Sequence, residues 1–368
     1  MPISLFRFSL APYRAELLTA IERVLASGRY VLGPEVEAFE REFAQAVGAR
    51  HCVGVANGTE ALMLALRALG VGPDDEVIVP SFTFYATAEA VAAIGARPVF
   101  CDVDPQTFCV TPETVKPRLG PRTRAIVAVH LFGYPAPIEE LRAFGLPIVE
   151  DAAQAAGAVR GGRRAGALGD IAAFSFFPSK NLPCLGDGGA VTSDDPVLAE
   201  RVRLLRHHGS RDKETFEAIG LNSRLDALQA AVLRVLLPHL EEWTQRRCAA
   251  ADHYRRAGLE SWLALPVEPP DGRHVYHLFV TRHRDRERLA RALSERGIEA
   301  RSYYARPIHC QPAMRCFAPT YALPGTDEVA ATNLALPIGP DLTASEVGEV
   351  VDAVAAVFSD APSRPSVR

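Results

Sequence analysis

Long apolar runs are missing from this chain of 368 residues. None reaches the roughly 18 residues that a membrane-crossing helix needs. The opening Met1-Pro2-Ile3-Ser4-Leu5-Phe6-Arg7 has no basic start followed by a long apolar stretch, so it does not read as a secretory leader. An excess of one charge is missing too: the formal net charge is -4, which builds no strong field for nucleic acid or an anionic membrane. A cytoplasmic protein with neither of those partners is expected. The seven cysteines show no CxxC spacing, which argues against a disulfide framework or a zinc cluster. Cys310 and Cys316 lie close to His309, and they read as free thiols of a reducing compartment. No Walker A motif occurs, which excludes a P-loop nucleotidase. Internal repeats and low-complexity tracts are absent.

What is present is an ordinary globular composition, 48% hydrophobic and 23% charged, long enough for a large core and two domains. From about residue 50 to residue 210, short apolar runs alternate with helical patterns. The strand candidates are His51 to Val55, Glu76 to Val79, Arg97 to Cys101, Ala125 to Val129, Pro147 to Glu150, Ile171 to Phe176 and Gly189 to Thr192. Helical patterns run from Thr59 to Leu69 and from Thr87 to Ile94, stopping at Gly70 and Gly95. This alternation predicts an α/β protein with a mostly parallel central sheet and helices on both faces.

The pattern changes after residue 220. A helix is predicted from Ser223 to Leu236, broken or restarted at Pro238, with a second helix continuing to about Ala257. Beyond it, strands at Val275 to Thr281 and Ile298 to Ser302, a helix from Asp285 to Glu295, and a capping box at Thr343-Ala344-Ser345-Glu346 opening a helix to Phe358 predict a smaller α+β domain. The expected division is 1–240 for the large domain and 241–368 for the small one. The first fifteen or so residues are expected to pack on the small domain, and the tail from Asp360 onward to fray.

Against this frame, one lysine stands out. Lys180 follows Phe174-Ser175-Phe176 closely, and Asp151 ends the apolar run Leu146-Pro147-Ile148-Val149-Glu150. A lysine and a buried acid, each leaving its own strand, are what pyridoxal phosphate requires. The amine condenses with the cofactor aldehyde, and the acid keeps the pyridine nitrogen protonated. Each residue also has a plainer reading. Lys180 alone reads as a surface lysine, and Asp151 as a helix cap. Asn57-Gly58-Thr59 opens a helix whose first amides suit a phosphate, or it is an ordinary cap. Ser175 reaches the same phosphate or bonds backbone. Phe84 stacks on a planar ring or belongs to the core. The plain readings weaken together, because all five features fall at the C-terminal ends of strands, where open α/β sheets bind ligands.

Several strings together resemble the nucleotide-sugar aminotransferases of the DegT/DnrJ/EryC1/StrS family, within the aspartate-aminotransferase fold. They are Tyr30-Val31-Leu32-Gly33-Pro34, Asn57-Gly58-Thr59-Glu60-Ala61-Leu62, Pro80-Ser81-Phe82-Thr83-Phe84, His130-Leu131-Phe132-Gly133, Glu150-Asp151-Ala152-Ala153-Gln154, Lys180-Asn181-Leu182 and Gly220-Leu221-Asn222-Ser223-Arg224-Leu225. Tyr304, Pro307-Ile308-His309 and Leu336-Pro337-Ile338 also fit. The resemblance implies Lys180 as the cofactor lysine and Asp151 as the ring-nitrogen partner. It implies Gln154 at the ring hydroxyl, Phe84 on the ring face, and Gly58, Thr59 and Ser175 at the phosphate. It further implies a homodimer with shared active sites, Asn222 reaching the neighbour's phosphate, and Arg224, Tyr304 and His309 near the sugar or its diphosphate. No metal is implied.

The chain departs from the commoner pattern at Ser223, where many members carry tyrosine, and at Pro183-Cys184-Leu185, where small residues are usual. The Asn-Ser-Arg-Leu-Asp version and Gly186-Asp187-Gly188-Gly189 are more similar to members acting on 3-keto sugars. The implied activity is transfer of an amino group from an amino acid, L-glutamate first, to a nucleotide-linked keto-sugar. A dehydratase on the same fold would carry histidine in place of Lys180. A cofactor-binding regulatory protein without turnover, and a desulfurase or aldolase, complete the alternatives.

Overall fold

The computed structural model describes residues 2–359. Its centre is a sheet built from β1 (His51–Val55), β2 (Glu76–Pro80), β3 (Arg97–Cys101), β4 (Thr123–Val129) and β5 (Ile148–Asp151). After a small hairpin, β6 (Val159–Arg160) and β7 (Arg163–Arg164), come β8 (Ile171–Ser175) and β9 (Gly189–Ser193). The seven central strands lie in the order β1-β9-β8-β5-β4-β2-β3. Six run in one direction, and β9 opposes both its neighbours. All seven strands stand where the apolar runs predicted them, within two residues at either end. The reversal of β9 has a local cause. A parallel return needs a crossover, usually a helix. The link from Phe176 to Gly188 contains none, so the chain turns back beside β8. That link carries Lys180.

Alternate residues of the central strands feed separate apolar clusters. Val77, Val79 and Val127 join one with Leu64 and Phe82, whereas Ile78, Ile126 and Ala128 join another with Ile138 and Leu141. The sheet is therefore covered on both faces, as a run of apolar residues without alternation requires.

Two helices precede β1, Arg14–Ser27 and Pro34–Val47, neither foreseen from the sequence. The second begins with Pro34 after Gly33 and stops at Gly48, in the left-handed conformation at φ 76. Phe39 and Phe43 lie one turn apart on its buried face. The Phe43 ring is 4.9 Å from Phe174 and 5.2 Å from Phe176. The helix thus anchors the strand that ends in Ser175.

The long helix expected from Ser223 begins at Ala227 instead. Residues 222–226 are held extended: Asn222 bridges His207, Asp226 bridges Val31, and the Ala227 amide donates to the Tyr30 carbonyl at 2.9 Å. Pro238 sits in a short turn, Leu237–His239, before the helix Leu240–Arg256.

A third cluster gathers Tyr254, Leu289, Leu336 and Val350 with Ile3 from the start of the chain. Here β10 (Gly272–Arg273) joins the β6–β7 hairpin, and β11 (Phe279–Arg282) pairs with β12 (Asn333–Leu336) in antiparallel fashion. The strand predicted from Val275 is shorter because Val275 and Leu278 donate to the Gly133 and Phe132 carbonyls instead of to a strand. The strand predicted over 298–302 is two isolated bridges, Ile298 to Ile3 and Arg301 to Ala335, because its partner changes midway. The capping box is present: Glu346 accepts from the Thr343 amide at 2.9 Å, and the Thr343 hydroxyl accepts from the Glu346 amide at 3.2 Å. The tail from Asp360 lies outside the described residues. Among the described residues, no helix is long and apolar enough to cross a membrane.

Candidate active site

Six strands deliver their C-terminal ends to one edge of the sheet, and the predicted residues leave from there. Asp151 ends β5 and Ser175 ends β8. Asn57-Gly58 follows β1, Phe84 follows β2, and Lys180 lies in the loop after β8.

Only three lysines occur among 40 basic residues: Lys116, Lys180 and Lys213. Lys116 and Lys213 are exposed, whereas Lys180 is half-buried with its amine end well desolvated. Burial brings the Lys180 ammonium down to about 8, with nearby Asp151 pulling the other way. This scarcity of lysine is a signal that motif reading alone passed over.

Asp151 is 6% exposed. Its carboxylate accepts from the Thr87 hydroxyl at 2.7 Å and the Ala153 amide at 3.2 Å. Burial pushes its pKa up; Thr87, Ala153 and Lys180 oppose that push. No cation is hydrogen-bonded to it among the described residues, so the acid is short of positive charge. A protonated pyridine nitrogen would supply it. Thr87 was missed as a site residue. Its signal was a hydroxyl in the first turn of an otherwise alanine-rich buried helix, Ala86–Ala93.

The helix Gly58–Ala68 is capped by Asn57, whose side chain accepts from the Glu60 amide at 2.9 Å. Both readings of this turn therefore have a basis, because the cap leaves other first-turn amides pointing outward. Gly58 faces Ser175 so closely that a β-carbon on it would lie 2.7 Å from the Ser175 β-carbon. Only glycine allows that approach. Gly58 and Ser175, with Thr59 next in sequence, bring amides and hydroxyls to the start of this helix, a cradle that suits a phosphate.

Gln154 is buried. Its Oε1 accepts from the Phe132 amide at 2.7 Å, and its Nε2 donates to the Tyr304 hydroxyl at 3.2 Å. Burial pushes the Tyr304 phenol above its ordinary pKa. The Phe84 ring, 54% exposed, lies 6.0 Å from the Tyr304 ring. Phe84 is thus not core but an uncovered aromatic beside Tyr304.

His309 Nδ1 shares a hydrogen bond with the Ser81 hydroxyl. Asn222 is exposed and Arg224 half-buried; neither side chain is hydrogen-bonded to the cluster among the described contacts. Between them Ser223 is buried, and its hydroxyl accepts from the Ala56 amide at 3.2 Å, next to the cradle. Leu185 is pinned through its backbone by Gln229, at 2.8 and 3.1 Å. Both departures from the commoner motif are thus tied to structure beside the cradle.

A depressed amine is directly measurable. Amine-selective labelling of the cofactor-free protein at graded pH, read by peptide mapping, should show Lys180 titrating at about 8. A Lys180 midpoint at the ordinary lysine value of about 10.4 would refute the electrostatic description.

Residues 13–355 match the DegT/DnrJ/EryC1/StrS aminotransferase family. The chain is 51% identical over 348 residues to the dTDP-3-amino-3,4,6-trideoxy-alpha-D-glucose transaminase of Streptomyces venezuelae, covering 93% of this chain and 92% of that protein. It is 46% identical over 344 residues to the erythromycin biosynthesis sensory transduction protein EryC1 of Saccharopolyspora erythraea, covering 92% and 94%. The solved structure of S. venezuelae DesV in complex with a ketimine intermediate superposes with a TM-score of 0.94 at 47% identity, over 98% of this chain and 100% of that one. That of ntda from Bacillus subtilis with bound cofactor PMP gives 0.89 at 30% identity, over 95% and 83%. With a family match over nearly its whole length and relatives this similar, the chain belongs to the DegT/DnrJ/EryC1/StrS aminotransferase family.

Proposed function

We propose that this protein is a pyridoxal-phosphate-dependent aminotransferase that carries an amino group from an amino-acid donor, L-glutamate first, to the ketone of a nucleotide-linked 3-keto sugar. The carrying observation is the pairing of Lys180, its amine lowered to about 8, with the buried and cation-starved Asp151. The bound cofactor of a relative at 30% identity and the 3-amino sugar in the name of one at 51% support the cofactor and the substrate class.

When bound, pyridoxal phosphate supplies an aldehyde and a ring that delocalises the electron pair left at the donor carbon. Asp151 would keep a proton at the ring nitrogen. Lys180 Nζ would take the proton from the donor α-carbon and deliver it to the cofactor C4′, which an amine held near neutral does better than an ordinary lysine. Gly58, Thr59 and Ser175 would hold the phosphate, Gln154 the ring hydroxyl, and Phe84 would cover the ring. Arg224, Tyr304 and His309 lie toward the sugar or its diphosphate. One relative is named as a sensory protein. An amine tuned for proton transfer favours turnover over that reading.

The reading includes a homodimer in which Asn222 of the partner subunit completes the phosphate cradle. Tyr30 and Val31, 49% and 50% exposed, are tied to the segment following Asn222, and Leu185, 48% exposed, to the helix after it. Uncovered apolar side chains around Asn222 suit an isologous contact. The seven unpaired cysteines support a reducing, cytoplasmic setting. A cofactor-holding unit at 1–240 and a smaller one at 241–368 complete the proposal.

Loaded enzyme, glutamate and a panel of nucleotide keto-sugars, with product position read by NMR, should give amination at the 3-position. Failure with every keto-sugar would end the proposal. Asp151→Asn should keep the fold by circular dichroism while kcat falls at least ~100-fold, about 2.7 kcal/mol of barrier; a fall below threefold would remove Asp151 from its role. For the dimer, inactive Lys180→Ala and Asn222→Ala proteins are mixed under conditions of proven subunit exchange. Recovery of activity is expected from the mixed dimer's one intact site. Its absence, or full activity from a monomer by light scattering, contradicts the shared site.

A further inference from the structure

The loop that carries Lys180 is held from outside the central sheet. Asn181 is 4% exposed and uses both ends of its amide on one distant segment. Its Nδ2 donates to the Val275 carbonyl at 3.0 Å, and its Oδ1 lies 3.2 Å from Nδ1 of His277. An amide oxygen only accepts, so Nδ1 of His277 carries the proton. His277 is 3% exposed. Burial first, then the neighbouring Lys180 and Arg247, drive its pKa well below 6.5. The ring is therefore neutral, and the bond to Asn181 sets its tautomer.

The same segment grips the opposite side of the site. The Val275 amide donates to the Gly133 carbonyl at 3.1 Å, and the Leu278 amide to the Phe132 carbonyl at 3.3 Å. Phe132 in turn donates to Gln154. Gly133 has φ 101, and a β-carbon there would lie 3.0 Å from the His277 amide nitrogen. Arg247, buried, donates to the Tyr276 carbonyl at 3.1 Å. Residues 275–278 thus join the lysine loop to the glutamine turn, just before the chain enters β11. Nothing in the proposed chemistry uses Asn181 or His277.

We propose that Asn181 and His277 form a positioning pair that holds Lys180 at its station beside Asp151, by fastening the lysine loop to the Val275–Leu278 segment. Neither residue touches the reacting atoms; both act through Lys180. The inference rests on Lys180 being the cofactor lysine. A neutral imidazole suits the task, because a charged one would repel the neighbouring Lys180 ammonium.

The test uses holoenzyme carrying Asn181→Leu, His277→Phe, both together, or His277→Asn, whose amide nitrogen stands where Nδ1 stands. Melting temperature, kcat, KM for the keto-sugar, and the pH midpoint of the bound cofactor's visible absorbance are measured for each. The charged groups that bear on that midpoint are Asp151 at Lys180, and Lys180 and Arg247 at His277. Each single loss is expected to lower kcat about tenfold with KM unchanged, and to displace the midpoint by about 0.5 unit or more. The double variant should be no worse than Asn181→Leu alone, since that change already removes the bond that His277→Phe removes. His277→Asn should restore kcat and midpoint together. Folded variants with kcat within twofold and an unmoved midpoint would overturn the proposal, as would effects that multiply in the double variant. If His277→Phe fails to fold, Asn181→Leu and His277→Asn decide by the same criteria. Borohydride reduction of the wild type, with peptide mapping, runs alongside. A label away from Lys180 overturns the site and the pairing; a label on Lys180 with unmoved variants overturns the pairing alone.

Discussion

A carboxylate buried at the end of a strand, with no cation bonded to it, is costly to keep. Asp151 is such a group, and the rest of the site answers to it. Thr87 and Ala153 donate to it and soften the penalty, yet burial still pushes its pKa up. Lys180 is the nearby positive charge, and burial weakens that too, toward the neutral amine. The two groups are held in a state that neither would choose in water. A ligand bringing a proton-bearing ring nitrogen to the acid and an aldehyde to the amine relieves both. Cofactor affinity and catalytic readiness then have one physical source.

Holding two such groups in place demands rigid supports, and the fold supplies them from separate directions. The link between β8 and β9 contains no crossover helix, so the sheet itself closes the lysine loop at both ends. Phe39 and Phe43 pack on Phe174 and Phe176, fixing the strand that carries Ser175 to within van der Waals reach of Gly58. Residues 275–278 then bind the loop from beyond the sheet, through contacts spanning more than ninety positions of sequence. Local strand ends set the direction of each side chain, while long-range contacts set its position.

Much of this was legible in the residues, and the pattern of failures is physical. The seven central strands could be read because parallel strands buried on both faces are continuous apolar runs ending at Gly, Pro or Asp. Lys180, Asp151, Gly58 and Ser175 could be placed at strand ends for the same reason. The direction of β9 could not, since it depends on the lack of a helix in a loop rather than on any residue. The strands expected over 275–281 and 298–302 were shortened by partners from elsewhere in the chain, and no local pattern announces those. Thr87 and His277 look ordinary in sequence, and only folding brings them to the acid and the lysine loop; Asn181 adjoins Lys180, but its partners at Val275 and His277 are set by the fold. Asn222, Arg224 and His309 make no hydrogen bond to Asp151, Lys180 or Gln154 among the described contacts, and their proposed roles depend on a second subunit or a bound sugar.

The most direct test concerns the proton that the buried acid is proposed to hold. Enzyme loaded with cofactor labelled with nitrogen-15 in its ring should give the chemical shift of a protonated pyridine nitrogen across the working pH range, and Asp151→Asn should move it toward the unprotonated value. A wild-type ring nitrogen that is unprotonated at neutral pH, with Asp151 intact, would contradict the account at its centre.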